Sequence, residues 1–474
     1  VSGGDVGTGQ AVLADPVRAA AVLTELRAAL GDAAVRTDAA SLAARRGDAS
    51  GTSSGTPLVL VLPATTAQVS AVARIASTHR IPVVPQGALS GLAGGANAVD
   101  GAILLALTAM DAIVRIDPVD QVAVVQPGVV TDDLAAAVAA VGLFYPPDPA
   151  SSSWSTIGGN IATNAGGMRC VKYGVTRDFV RSLEVVLADG RVVRTGPPTV
   201  KHVAGLDLTG LVVGSEGTLA IVTEATLALL PAPGETRGMC ATFATIGDAL
   251  AAANAIMAGP HRPSTLEILD AVVLAAIVAH VPDNGLPVGA QALLLALSDD
   301  RAGGADDAAA YARTAREHAA LTVDLAGDPA RLDALLAARR AFNPAMRALR
   351  GASINEDIAV PRSRLAELLA RLADLSAELG LPIGTGGHVG DGNLHPVIAF
   401  DPAAPAQRHA AERAHLRILA LAVDLGGTVT GEHGIGVEKL AALDAELGPT
   451  VRELQRSIKS AFDPQGILNP GKKL

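Results

Sequence analysis

From Leu58 to Leu62 five apolar residues run without a polar interruption, the pattern of a strand buried on both faces, and Pro63 closes the run. Thr65 then stands three residues before Gln68, the spacing of a capping box, so a helix is predicted next and a second strand at Ile81–Val84. Further strands are predicted at Ala102–Leu107, Val122–Gln126, Leu183–Leu187 and Arg191–Arg194, with Asp189-Gly190 as the turn between the last two. Upstream, a helix is predicted from Pro16 to Leu30, with Asp15 as its N-cap and Pro16 at its first position. Residues up to 232 therefore read as one α/β unit containing hairpins, which Pro231-Ala232-Pro233-Gly234 ends.

Beyond that boundary the pattern changes. Ala-rich windows at Ala249–Met257, Ala308–Ala320, Leu332–Ala341 and Ser363–Leu379 repeat their apolar positions at helical spacing, and strand candidates such as Ala292–Leu297 fall between them. This reads as a second, α+β domain over residues 233–425.

Composition narrows the function class. The 474 residues are 49% hydrophobic, enough for a large core, and 37 basic against 47 acidic residues give a formal charge of -10. No Lys/Arg block or basic-aromatic interleaving is present, so nucleic acid is not an expected partner. Cys170 and Cys240 form no CxxC pair and support neither a disulfide framework nor an iron–sulfur cluster, and a reduced cytoplasmic setting is the expectation. Val1–Gln10 lacks the basic and apolar regions of a secretory signal, and no apolar run approaches the roughly 18 residues of a membrane span. Membrane association is expected to be peripheral at most.

The chemistry concentrates late in the chain. His388 and His395 flank Val389-Gly390-Asp391-Gly392-Asn393-Leu394, a composition that favours a tight reversal able to bring two imidazoles together. Glu432, in Gly431-Glu432-His433-Gly434, would complete two imidazoles and one carboxylate, a donor set suited to a divalent ion, zinc first and manganese, iron or cobalt after it. His433 is then the spare imidazole, with an ordinary pKa near ~6.5 for moving protons at neutral pH. The competing reading of the same residues is a plain Gly/Asp/Asn hairpin with structural histidines.

Three glycine-rich segments occupy the first unit. Pro85-Gln86-Gly87-Ala88-Leu89-Ser90-Gly91-Leu92-Ala93-Gly94-Gly95-Ala96 follows a predicted strand, and its small residues allow successive backbone N–H groups to close around an anion. It is no P-loop, and the chain carries no GxGxxG. The second runs from Pro147-Asp148-Pro149 to Thr156-Ile157-Gly158-Gly159-Asn160-Ile161-Ala162-Thr163-Asn164, and the third is Gly214-Ser215-Glu216-Gly217-Thr218 leading into Ile221-Val222. Together they suit an extended polar ligand.

These motifs, in this order with HVGDGNLH, GEHGIG and Asn469-Pro470-Gly471-Lys472, resemble the FAD-linked D-2-hydroxy acid dehydrogenases of the vanillyl-alcohol oxidase and p-cresol methylhydroxylase superfamily. That group includes D-lactate dehydrogenase (cytochrome), D-2-hydroxyglutarate dehydrogenase and the flavin subunit of glycolate oxidase, and the likeness runs from about residue 38 to the end. It implies an α+β fold: a two-subdomain FAD-binding domain over 1–232, an α+β cap with an antiparallel sheet over 233–425, and a segment, 426–474, returning to the FAD domain. It implies further that Gln86, Gly87, Ala88, Leu89, Ser90, Gly91 and Leu92 hold the pyrophosphate of non-covalent FAD. Pro147, Asp148, Thr156, Gly158, Gly159, Asn160, Ala162, Thr163 and Asn164 would line the isoalloxazine and ribityl parts. Glu216, Gly217, Ile221 and Val222 would contact the adenine side, and Asn469 is counted with these cofactor residues.

In the cap, Arg339 stands where the family pairs a guanidinium with the substrate carboxylate, with Arg340 as the competitor. The implied reaction is oxidation of a D-2-hydroxy acid, D-lactate-like, to the 2-oxo acid. The metal holds the hydroxyl, His433 takes its proton, Asn393 bonds the substrate or a ligand imidazole, and hydride passes to the flavin. An external acceptor is implied, a quinone, a cytochrome or an electron-transfer flavoprotein, while the oligomeric state is left open, a homodimer among the options. Gln86 replaces an Arg, Leu336 a Trp and Asn355 a Lys of relatives, and the last argues against 2-hydroxyglutarate. The readings from other classes are a metal-dependent hydrolase and a non-catalytic flavin-binding protein.

Overall fold

The computed structural model describes residues 15–281, 289–326 and 329–474; the Val1–Gln10 stretch lies outside them. The chain divides into two compact units, one of residues 1–166, 175–232 and 432–474, the other of residues 167–174 and 233–431. The second unit thus runs to Gly431, and an eight-residue segment before Val175 groups with it. Lys172 Nζ and the Tyr173 hydroxyl both donate to Asp299, at 2.5 and 2.7 Å, and Arg262 Nε donates to the Val171 carbonyl, which explains that grouping.

Two larger sheets, one of four strands and one of five, build the first unit, with Leu230–Pro231 paired to Leu143–Phe144 as a two-stranded third. Strands β1 (Val35–Arg36), β2 (Val59–Val61), β3 (Val83–Gln86) and β4 (Ile103–Ala106) take the order β1-β2-β4-β3, with β2, β4 and β3 parallel. Val59, Val61, Ile103 and Leu105 pack into one cluster with Val22 and Leu26 of helix α1 (Pro16–Leu30) and with Val69, Val72 and Ala76 of helix α2 (Thr66–His79). Their alternates Leu60, Val84 and Leu104 fill a second cluster on the other face, so the strands carry no polar alternation. Asp15 and Thr65 cap α1 and α2 as their positions predict. Leu468, late in the chain, bridges Val83 in parallel and covers the β3 edge. The other sheet is antiparallel, β5 (Ile113–Asp117), β6 (Val122–Val125), β7 (Val180–Val186), β8 (Val192–Arg194) and β9 (Ile221–Ala228) in the order β5-β6-β9-β7-β8.

The second unit holds one antiparallel sheet. Its strands are β10 (Arg237–Phe243), β11 (Thr265–Asp270), β12 (Ala292–Ser298), β13 (Ala320–Ala326), β14 (Ala352–Asn355), β15 (Ile358–Ala359), β16 (Ile383–His388) and β17 (Asn393–Phe400), in the order β13-β10-β12-β11-β16-β17-β14 with β15 also on β17. The predicted helix Ala308–Ala320 stops at Glu317, because Ala319 turns left-handed at φ 61 and Ala320 opens β13. Leu269, Leu293, Leu295 and Val397 on one face pack against Val273 and Ile277 of helix α3 (Ala271–His280) and Phe342 and Met346 of helix α4 (Phe342–Arg350). Gly384 and Gly386 make this approach feasible: a Cβ on Gly384 would lie 2.8 Å from the Met346 sulfur, and one on Gly386 2.7 Å from Leu269. The glycines ahead of His388 therefore serve helix–sheet packing.

Candidate active site

In the first unit the glycine-rich segments surround a cavity of about 380 Å³. No backbone N–H from Gly87 to Gly95 donates to another group among the described residues, leaving a continuous run of donors for an anion. Leu89 takes a positive φ of 64° within the run, which turns the chain to present them. The loop is gripped through its carbonyls. Arg45 Nη1 donates to Gly87 O at 2.9 Å; Gln86 Nε2 donates to Arg45 O and Ala96 O at 2.9 and 2.8 Å; Lys472 Nζ donates to Gly95 O at 3.2 Å and to Asn97 O. Burial pushes the Lys472 ammonium down to about 8, against the pull of Asp48 and Glu216. Two cations thus polarise the loop from behind, where the sequence showed only the loss of an Arg at position 86.

Most of the predicted cofactor residues line this cavity: Gln86 to Leu92, Thr156, Gly158, Gly159, Asn160, Ala162, Thr163, Glu216, Gly217, Ile221 and Val222. Four do not. Pro147 and Asp148 lie off the wall, which Pro149, Ala150 and Ser151 form instead. Asn164 is the left-handed C-cap of the Ile157–Thr163 helix, its Oδ1 accepting from Arg177 N at 2.8 Å. Asn469 sits behind the loop, with Nδ2 donating to Gly95 O and Glu216 O at 2.9 and 2.7 Å. Glu216, on the cavity wall, also braces the chain, since its carboxylate accepts from Ile435 N and Gly436 N at 2.8 and 2.7 Å. Trp154, the single tryptophan, lines the cavity, as do Glu432 and His433.

In the second unit β16 and β17 form the predicted hairpin, pairing His388 with Asn393 and Gly386 with His395. Directly paired residues share a face, so both imidazoles stand on the same side of the sheet, ring centroids 5.3 Å apart. Glu267 of β11, the register partner of His388, joins them there. The sequence reading missed this residue, and its only signal was an acid inside an apolar strand. One Glu267 oxygen contacts His388 Nδ1, and the other accepts from Arg339 Nε at 2.7 Å. Burial alone would raise this carboxyl, but His388 and Arg339 outweigh it and hold it down at about 2. Arg339 also lies over the Phe342 ring at 5.6 Å and makes no other hydrogen bond among the described residues, so the two terminal nitrogens of its fork remain for a ligand. Arg340 is exposed. Asn393 donates through Nδ2 to Asp357 Oδ1 and Ile358 O at 2.7 and 2.9 Å, so its amide nitrogen holds the turn.

Glu432 follows Gly431, the last residue of the second unit, by one peptide bond. Two imidazoles and a carboxylate, with a second carboxylate on the far nitrogen of one ring, make a donor set that fits a divalent ion.

A model of the FAD binding domain matches residues 57–196, and one of the C-terminal domain of FAD linked oxidases matches 232–473. The chain belongs to the FAD-linked oxidases. This FAD-linked oxidase is 42% identical over 417 residues to glycolate oxidase subunit GlcD of Bacillus subtilis, 88% of each chain, and 35% identical over 424 residues to D-lactate dehydrogenase of Anaerostipes hadrus, 88% of this chain and 89% of the other. It is an FAD-dependent oxidoreductase of the D-lactate dehydrogenase and glycolate oxidase group. Its fold is that of p-cresol methylhydroxylase with substrate bound, at a TM-score of 0.79 over 97% of both chains and 20% identity. The unpartnered N–H run and the carbonyl-gripping cations of the first-unit cavity fit the diphosphate of FAD. Among the described residues, no helix is long and apolar enough to cross a membrane.

Proposed function

We propose that this FAD-linked oxidase converts a D-2-hydroxy acid of D-lactate size to the 2-oxo acid with a divalent ion, zinc first, on His388, His395 and Glu432, and passes the electrons to an external quinone, cytochrome or electron-transfer flavoprotein. The hairpin register that puts the His388 and His395 imidazoles on one side of the sheet, ring centroids 5.3 Å apart, carries this reading. Relatives named for glycolate and D-lactate, both 2-hydroxy acids, support the substrate class, and the B. subtilis likeness makes glycolate the second reading.

Bound FAD supplies a hydride acceptor at its N5, and the ion supplies a Lewis acid that lowers the pKa of an alcohol. The chain's own residues do the rest. Arg339, its Nε fixed on Glu267, offers two parallel N–H groups to the substrate carboxylate and sets the acid's orientation. His433 accepts the hydroxyl proton on a ring nitrogen, which pushes electron density toward the departing hydride. Asn393 positions the turn between the two histidines through Asp357 and the 358 carbonyl. The neutral Asn355 offers no cation to a second carboxylate, so monocarboxylates are preferred over 2-hydroxyglutarate.

The test is anaerobic mixing of the yellow protein with D- and L-lactate, glycolate and D-2-hydroxyglutarate, following loss of flavin absorbance. D-lactate or glycolate is expected to bleach it, and D-lactate faster than L-lactate. No bleaching by any 2-hydroxy acid would sink the proposal.

A further inference from the structure

Glu267 is a buried carboxylate with both oxygens occupied, and its two partners have different chemistry. On one side stands the imidazole of His388, on the other the guanidinium of Arg339. Resting on the function proposed above, we infer that Glu267 is a positioning residue: by holding a metal-ligand imidazole and the carboxylate-binding guanidinium on one rigid carboxyl group, it sets the distance between metal and substrate carboxylate and so selects acids whose hydroxyl is on the adjoining carbon.

The geometry supplies each part. An Nδ1–H bound to Glu267 leaves the lone pair of His388 on Nε2, the tautomer a ligand needs, and keeps the ring from rotating. The contact to Arg339 uses Nε alone and leaves the terminal fork intact, with the guanidinium also stacked over Phe342. Glu267 itself cannot drift. Its strand pairs on both sides, with Leu295 of β12 and with His388 of β16, and the carboxyl group is held by its contacts to His388 and Arg339. A carboxyl group spans little more than 2 Å between oxygens, so metal ligand and anchor are spaced by a rigid element. A 3-hydroxy acid, one carbon longer between its two binding groups, fits that spacing badly.

The FAD-loaded protein, stripped of metal by chelation, is titrated with zinc against a chromogenic competitor, and steady-state constants are then measured for a 2-hydroxy and a 3-hydroxy acid. For Glu267→Gln, zinc affinity is expected to fall by about 10- to 100-fold, and KM for the 2-hydroxy acid to rise at least about tenfold, with the flavin spectrum unchanged. Glu267→Asp keeps the charge but reaches one methylene less; it is expected to recover part of the zinc affinity while the preference for 2- over 3-hydroxy acid narrows. A merely structural carboxylate would move the melting temperature and leave zinc affinity and chain-length preference alone, and that result in either folded variant would overturn the inference. Absence of zinc binding by the unsubstituted protein would overturn the parent reading as well, which separates the two failures.

Discussion

Lys472 Nζ donates to the carbonyl oxygen of Gly95 at 3.2 Å, in the loop whose residues line the cavity. The N–H of the Gly95–Ala96 peptide is itself spent on Asp48 at 3.4 Å, so the ammonium acts on a bound anion by bracing the loop and through space. Because burial lowers this ammonium to about 8, raising the pH through 8 neutralises it. FAD affinity, read from quenching of Trp154, is therefore expected to weaken by about tenfold, or 1.4 kcal/mol, across that step. Lys472→Met should start at the weakened value and show no step. The sign for folding is opposite. A lysine whose folded pKa lies below its unfolded value near 10.5 binds fewer protons in the native state, so it makes the apoprotein more stable as pH rises from about 8 to about 10.5. Affinity and the Lys472 contribution to stability thus move in opposite directions, and parallel movement would contradict the account.

Gln86 bridges the carbonyls of Arg45 and Ala96, so Gln86→Leu removes two bonds and leaves buried acceptors without donors. A loss of about 2 to 4 kcal/mol in the first unit is expected from chemical denaturation, together with faster FAD release. The charge reading of this position makes a different forecast, that only replacing Gln86 by Arg should matter.

Gly436 has φ 49, and a Cβ there would strike the Ala93 carbonyl within the anion loop. Gly436→Ala is expected to cost about 3 kcal/mol or more and to yield protein depleted of flavin. Retention of full yellow colour at ordinary melting temperature would refute the packing argument.

His433→Ala should leave FAD and zinc content intact while flavin reduction by substrate slows by about 10²- to 10⁴-fold. Single-turnover stopped-flow measurement decides it. An unchanged reduction rate removes His433 from proton transfer.

Chelation is expected to abolish turnover with the flavin spectrum preserved, and added zinc should restore it. Full activity in a preparation shown by elemental analysis to hold no metal would dismiss the ligand set of His388, His395 and Glu432.

Local chemistry was legible in the chain and distant register was not. Pro16–Leu30 and the Thr65 cap could be read because their signals lie within four residues of each other. The His388–His395 hairpin could be read because its turn residues specify it. Glu267 was hidden, since only the pairing of β11 with β16 brings it to His388, across 121 positions. Asp148 and Asn164 show the converse limit: being inside a small-residue segment does not say which side chains face the cavity, and Asn164 is a helix C-cap. Arg45 and Lys472 could not be connected to the anion loop from sequence, because both act on it through backbone carbonyls.

The clasp from Asn469 and Lys472 to Gly95 joins positions 374 and 377 apart. On a ribosome, the anion loop emerges hundreds of residues ahead of the groups that brace it. A half-made polypeptide thus carries the donors without their backing, and secure capture of the coenzyme waits until translation has passed residue 472.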